Sequence, residues 1–367
     1  MLKIKYLEKM EDVYDITVEN NSNFYANDIL VHNCQEILLP TTPLKTLDDP
    51  NGLVSLCTLS AINLGNVKNL DDLERICKNA VKTLDNLLDY QDYMLPAAWN
   101  ATRLYRPLGI GVINLAYYLA KNGVNYSSTE GHKLIDDTME AINYYCIKAS
   151  IELAKERGPC EGYEMTKWSR GLLPIDYYKK TIDDIVKFEP KCDWEWLRGE
   201  LKKYGIRNAT LTAFMPAESS AKISNATNGV EPIRSLITTK GNKSNISKQV
   251  VPEITRLKNK YEMLWDMESM DGIIKSMAII SRLCSQSISS NLSYNPIHYP
   301  EGQIPLSVLL KDLLKANHYG LPTLYYHNTP DGRDENLVDD KKTVEILLEN
   351  VIEAATVEEE ICDSCML

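Results

Sequence analysis

The sequence predicts a mixed α/β protein with a short all-β piece at its N-terminus. Two observations carry this. From residue 34 to about residue 326, segments of strand character alternate with segments whose apolar residues recur at helical spacing, the pattern of parallel β units. Residues 1–33 are instead β in character throughout, and so short a piece cannot bury a core alone. It must therefore complete the sheet of another polypeptide. The 367 residues are enough for a large core or two domains.

In chain order, Val13-Tyr14-Asp15-Ile16-Thr17-Val18 alternates as a strand does. Asn20-Asn21-Ser22-Asn23 makes a turn, and Phe24-Tyr25-Ala26 and Ile29-Leu30-Val31 give further short strands. Leu73, Ile76, Ala80, Leu84, Leu87 and Leu88 predict a helix between Leu70 and Tyr90. Leu108-Gly109-Ile110-Gly111 reads as a glycine-rich turn leading into Val112–Ala120. Leu134–Arg157 is a long amphipathic helix stopped by Gly158-Pro159, and Asp193 caps a helix that ends at Gly205. Asn208–Phe214 reads as a buried strand, followed by a polar loop from Pro216 to Pro232. Met270–Gln286 is helical, Ser287–Tyr294 extended, Leu306–Asn317 helical, and Pro322–Tyr326 a short strand. There is no internal repeat.

Composition narrows the function. Hydrophobic content of 44% and charged content of 25% are those of a soluble globular protein, and no apolar run reaches the length of a membrane span. The N-terminus has no signal-peptide core, so a cytoplasmic location is expected. Nine cysteines without a secreted-type framework favour free or redox-active thiols. The net charge is −11, and the segment from Asp331 to Leu367 alone, with twelve acidic and three basic residues, contributes −9 of it. That excludes a basic nucleic-acid face and points to proteins and small molecules as partners. The tail, residues 331–367, reads as a solvated extension that ends in Cys362-Asp363-Ser364-Cys365. A lone C-x-x-C could be half of a zinc site, but no second pair or histidine cluster accompanies it, and no metal site is expected. A dithiol on a mobile arm instead suits thiol–disulfide exchange.

The seam His32-Asn33-Cys34 carries chemistry of its own. An asparagine amide can attack its own backbone carbonyl, close a succinimide and release the downstream chain, and a neighbouring histidine can move the protons this needs.

Downstream, Cys34-Gln35-Glu36-Ile37-Leu38-Leu39-Pro40 and Leu56-Cys57-Thr58-Leu59-Ser60-Ala61-Ile62-Asn63-Leu64-Gly65 resemble the large subunit of class I ribonucleotide reductase. So do Leu88–Tyr93, Leu108–Asn114, Asn208–Leu211, Met215–Ser220, Ile223–Pro232 and Thr323-Leu324-Tyr325-Tyr326. The resemblance runs from Cys34 to Leu367 and corresponds to the C-terminal half of that subunit. It implies half of a ten-stranded α/β barrel over residues 34–330, acting on ribonucleoside diphosphates. By resemblance Cys34 carries a thiyl radical that removes the ribose 3′-hydrogen. Glu36, on the same face of an extended segment, is the general base on the 3′-hydroxyl. Cys57 is a reducing thiol whose partner belongs to the other half, and Tyr325 and Tyr326 relay the radical. In a strand, these two tyrosines would point to opposite faces. Pro216, Ala217, Glu218, Ser219 and Ser220 form a turn suited to the substrate diphosphate. Cys362 and Cys365 return electrons from thioredoxin or glutaredoxin. The radical comes from a metal-containing small subunit, and no cofactor is bound by this chain. Cys77, Cys146, Cys160, Cys192 and Cys284 match no role and read as buried or incidental.

Residues 1–33 resemble the C-terminal fragment of a split intein, a Hint-type all-β module, through Val13–Val18, Asn23–Ala26 and Ile29–Asn33. The resemblance implies trans-splicing at Asn33/Cys34: Cys34 accepts the upstream segment, Asn33 cyclises, and His32 and Asp15 assist. Ser22 stands where many inteins have His. The implied partner is the N-terminal reductase half fused to an N-terminal intein fragment, and the joined large subunit is expected to dimerise. A naturally split reductase with an inactive intein remnant, or a non-catalytic reductase-like interaction module, are the alternatives. The tyrosine pair disfavours the cobalamin-dependent reductases, and the missing glycyl-radical segment disfavours the anaerobic ones.

Overall fold

The computed structural model describes residues 35–242 and 245–330, and the backbone of 23–26 and 29–32; for 239–242 and 245–248 it describes the backbone alone. Strands β1 (Asn23–Ala26) and β2 (Ile29–His32) form an antiparallel hairpin with Asn23 opposite His32. Both short strands fall where the sequence places them. A hairpin is all that the described residues show of the leader, and no Hint-type fragment is visible among them.

The segment 35–57 leads into β3 (Thr58–Asn63). Helices α1 (Asp72–Tyr90) and α2 (Pro96–Tyr105) come next in the chain, then β4 (Leu108–Ile113). Strand β4 is buried along its whole length, so the expected glycine-rich turn at 108–111 is in fact a central strand. Its glycines are there because neighbours press on both sides. A Cβ at Gly109 would meet Cys57 Sγ at 2.6 Å, and one at Gly111 would meet the Ala213 carbonyl at 2.8 Å. Gly in a strand commonly marks such a close approach.

Helix α3 (Leu115–Asn122) starts at Asn114, whose φ of 74° turns the chain straight out of β4. Helix α4 (Thr129–Arg157) is capped by Ser128, which accepts from Gly131 N at 3.0 Å. A short α5 (Pro174–Tyr177) precedes α6 (Trp194–Tyr204), where Asp193 accepts from Trp196 N at 2.9 Å as the sequence predicts. The loop after residue 216 contains a helix, α7 (Glu218–Ile223), that its polar composition concealed. A hairpin of β5 (Ile237–Asn242) and β6 (Asn245–Val250) and a short α8 (Ile254–Leu257) come next. Helix α9 (Asp271–Ser281), β7 (Leu292–Ser293), α10 (Leu306–His318) and β8 (His327–Asn328) complete the described chain. The strand expected at Pro322–Tyr326 thus begins only after Tyr326.

Five parallel segments form an open arc in sequence order. β3 pairs with β4, and β4 lies beside 210–214 through Leu108 N to Thr210 O (3.1 Å) and the bridge Ile110–Thr212. Phe214 bridges Ile288, and 290–294 runs beside 325–328 through Tyr325 N to Ser290 O (2.7 Å) and Leu292 N to Tyr326 O (2.9 Å). Among the described residues the arc does not close: β3 has a partner on one edge only. Helices α1, α4, α6 and α9 pack with the arc into one core that includes Leu73, Val81, Leu108, Ile110, Ile142, Leu197 and Ile274. Parallel strands covered by helices are buried on both faces and lose the alternation that marks a half-exposed strand.

A buried charge cluster fixes the point where the chain enters the arc. Arg106, held at a φ of 44° after α2, donates to Asp85 Oδ1 at 2.7 Å and to Asp89 Oδ1 at 2.8 Å. Asn208 Nδ2 reaches the same Asp85 oxygen at 3.0 Å, and Arg157 reaches the other at 3.2 Å. One carboxylate thereby ties α1, α4, the start of β4 and the start of the 210–214 segment together.

Candidate active site

The arc brings Glu36, Cys57 and the two tyrosines, far apart in sequence, onto a common set of residues at 284–291. Glu36 is buried, with its side chain accepting from Ser289 Oγ and its backbone carbonyl accepting from Ser287 N at 3.0 Å. Gln35 N donates to the same Ser289 hydroxyl at 3.2 Å. A carboxylate out of water needs such donors, and the expected general base has one.

Gln286 is the hub that the sequence did not reveal. Its Nε2 donates to Cys57 Sγ at 3.2 Å and to Leu108 O at 2.9 Å, while its Oε1 accepts from Leu38 N at 3.2 Å. It therefore joins the 35–38 segment, the residue before β3, and the start of β4. Burial, the largest cause, pushes the Cys57 thiol up to about 11; the nearby Glu36 charge adds to this and the Gln286 bond opposes it. At neutral pH the thiol thus keeps its proton, as a hydrogen-donating group must. Cys284 lies in the same region, its thiol against Thr212 O at 3.2 Å and pushed up to about 12, chiefly by burial.

Tyr325 and Tyr326 are not on opposite faces. Their rings lie 3.9 Å apart at 30°, and Tyr326 Oη donates to Tyr325 Oη at 3.1 Å. The alternation rule fails here because the two residues precede the β8 ladder: Tyr326 N is bound by the side chain of Asn291 at 3.0 Å, where a ladder would supply a backbone carbonyl. Both rings are partly exposed.

The turn Pro216–Ser220 stands at the end of the 210–214 segment. Ala217 N donates to Asn228 Oδ1 at 2.8 Å, and Asn228 Nδ2 donates to Glu218 Oε1 at 3.0 Å. Ser219 and Ser220 are exposed. The loop is fastened to the strand ends through Asn114, which accepts from Thr227 N and donates to Asn63 Oδ1, both at 2.9 Å. Asp15, Asn33, Cys34, Cys362, Cys365 and the His32 side chain lie outside the described residues. Gln286, Ser289, Asn291 and Glu231 were not singled out from the sequence. Each acts through a partner at least 35 residues away, so no local spacing could have marked it. No group of acidic, histidine or cysteine side chains suited to a metal ion occurs among the described residues, and none of their helices is long and apolar enough to cross a membrane.

Comparison with known proteins gives this arrangement a family. The sequence model of the ribonucleotide reductase barrel domain matches residues 13–258. The ribonucleoside-diphosphate reductase subunit alpha of Haemophilus influenzae is 52% identical over 302 residues, covering 82% of this chain and 40% of the relative. That of Salmonella typhimurium is 51% identical over the same length with the same coverage, and that of enterobacteria phage T4 is 42% identical over 303 residues, 82% of this chain and 39% of its own. The chain spans about two fifths of the length of these relatives. It belongs to the ribonucleotide reductase family, as a segment that matches the barrel domain.

Proposed function

We propose that this chain supplies the C-terminal catalytic portion of a ribonucleoside-diphosphate reductase large subunit. The observation that carries the proposal is the convergence of Glu36, Cys57 and the stacked Tyr325–Tyr326 pair on residues 284–291. The overall change is a ribonucleoside diphosphate plus a dithiol giving the 2′-deoxy product, a disulfide and water. A thiyl radical on Cys34 takes the 3′-hydrogen and returns it at the end. Glu36 removes the 3′-hydroxyl proton as the 2′-hydroxyl leaves as water. Cys57, held protonated by its surroundings, supplies hydrogen and ends as half of a disulfide with a thiol from the portion that this chain lacks. Cys362 and Cys365 exchange with that disulfide and with thioredoxin or glutaredoxin. Tyr325 and Tyr326 pass the radical from a metal-containing small subunit, their hydrogen-bonded phenols giving a short path for electron and proton. Within Pro216–Ser220, backbone N–H groups at the start of α7 and the Ser219 and Ser220 hydroxyls hold the diphosphate. The joined subunit works in the cytoplasm as a dimer.

We further propose that the chain is made as a precursor, spliced in trans at Asn33/Cys34 with an N-terminal half carrying the complementary intein fragment. The sequence of the seam supports this, as does the hairpin that ends at His32. One set of experiments tests both proposals. Mixing the chain with its complementary portion is expected to release residues 1–33, seen by mass spectrometry, and Asn33→Ala is expected to block that release. An unchanged mass with a folded partner, or normal ligation by Asn33→Ala, sinks the splicing. The assembled enzyme with its small subunit is expected to convert cytidine diphosphate to the deoxy product, and Cys57→Ser and Tyr325→Phe to abolish turnover. Turnover by either variant, or by this chain alone, overturns the catalytic assignment.

A further inference from the structure

The hold on Tyr326 differs from the hold on its neighbours. Tyr325 N donates to the Ser290 carbonyl at 2.7 Å, and the Tyr326 carbonyl accepts from Leu292 N at 2.9 Å. Between them, Tyr326 N donates to Asn291 Oδ1 at 3.0 Å. An amide side chain has an acceptor end and a donor end, so a second partner decides which way it faces. That partner is Glu231, whose Oε1 accepts from Asn291 Nδ2 at 2.6 Å. A carboxylate only accepts, so the amide nitrogen must face it, and the amide oxygen is left for Tyr326 N.

Glu231 belongs to the loop after α7; burial pushes its carboxyl up, the Arg234 charge and the Asn291 bond oppose this, and the charge of Glu218, the first residue of α7, adds to it. Glu218 in turn accepts from Asn228, which fastens Ala217 N. The contacts that reach the tyrosine pair run from Glu231 through Asn291 to Tyr326 N, while Glu218 acts on Glu231 only through its charge.

We propose that Asn291 is a positioning residue for Tyr326 and that Glu231 is its anchor, so that the loop after α7 and the tyrosine pair hold a fixed relation. The inference rests on the reading of Tyr325 and Tyr326 as a radical relay. Without the Asn291 amide, Tyr326 N loses its partner, and the backbone at 326 is held through its carbonyl while the ring keeps its contact with Tyr325. Transfer between stacked phenols depends on their separation, and a displacement on the order of 1 Å can lower a rate by about a hundredfold.

The test uses the complete subunit with its small subunit and substrate, in the variants Asn291→Ala, Glu231→Gln, Glu231→Leu and Tyr326→Phe. The radical that accumulates on 3-aminotyrosine placed at position 326 is read by electron paramagnetic resonance. Asn291→Ala is expected to lower kcat by about 10- to 100-fold and the radical yield in parallel, with KM for the nucleoside diphosphate within about twofold. Glu231→Gln keeps an acceptor for Asn291 Nδ2 and is expected to stay within about threefold of the parent, whereas Glu231→Leu behaves as Asn291→Ala. Should Asn291→Ala fail to fold, the contrast between Gln and Leu at 231 decides. An unchanged kcat in Asn291→Ala, equal activity of the two Glu231 variants, or a fall in kcat with an undiminished radical yield overturns the proposal. The control separates the two levels. An inactive Tyr326→Phe beside a fully active Asn291→Ala refutes the positioning role alone, and an active Tyr326→Phe refutes the relay itself.

Discussion

The protonation of Cys57 is open to direct measurement, and Gln286→Leu removes the bond that opposes it. With the thiol pushed up to about 11, only about one molecule in a thousand carries the thiolate at pH 8, against about one in ten for an ordinary thiol near 9. Alkylation of Cys57 by iodoacetamide, read by peptide mass spectrometry, is therefore expected to run about a hundredfold slower in the folded chain than in urea. Cys57 is partly exposed, so restricted access is a competing cause, and the pH dependence tells them apart. A raised thiol gives a rate that climbs about tenfold per unit through pH 10, whereas restricted access alone gives a plateau near pH 9. Because folding favours the protonated thiol, its contribution to stability is complete below pH 9 and is lost as pH rises through about 11. Gln286→Leu removes the bond that favours the thiolate, so labelling is expected to slow further. It also strips Leu108 O of its 2.9 Å partner, at a cost of about 1–3 kcal/mol in urea unfolding. A plateau at pH 9, or faster labelling in a folded Gln286→Leu, refutes the reasoning.

Four further substitutions at three positions probe the scaffold. Gly111→Ala places a methyl 2.8 Å from a backbone carbonyl, whereas Gly109→Ala meets the side-chain ends of Leu59 and Cys57. The first is expected to cost about 2–3 kcal/mol in urea unfolding and the second about 1, and the reverse order counts against the packing described. Asp85→Ala leaves the buried Arg106 with the exposed Asp89 as its carboxylate partner and is expected to lose about 3–5 kcal/mol, with Asp85→Asn retaining part of it. A loss below about 1 kcal/mol in the alanine variant shows that the cluster does not organise the entry to β4.

The helices were legible where periodicity and end signals agreed. In α1 the apolar spacing was enough, and α6 also carried Asp193 at the start and glycine at the end; α4 was read from Leu134 to its glycine stop, short of the start that Ser128 caps. Strand β4 misled because a doubly covered strand has no polar face, which left Gly109 and Gly111 to read as a turn. Helix α2 was missed although Pro96 stands at its first turn, and α7 was hidden by serines that serve both loops and helix starts. At the site, Glu36, Cys57 and the tyrosine pair could be named because they resemble a known pattern. Gln286, Ser289 and Asn291 could not, because their role exists only once segments at least 35 residues apart are neighbours. The stacking of Tyr325 on Tyr326 was likewise beyond a rule of alternation, since one side-chain amide replaces the ladder there.

Among the described residues β3 is paired on one side only, and this has a consequence for handling the molecule. Its outer edge offers a row of backbone donors and acceptors beside Leu56 and Leu59, both exposed apolar residues. Such an edge is a template for any strand that arrives, including β3 of another copy. Self-association that rises with concentration, read by light scattering, is the expected outcome of leaving this edge open.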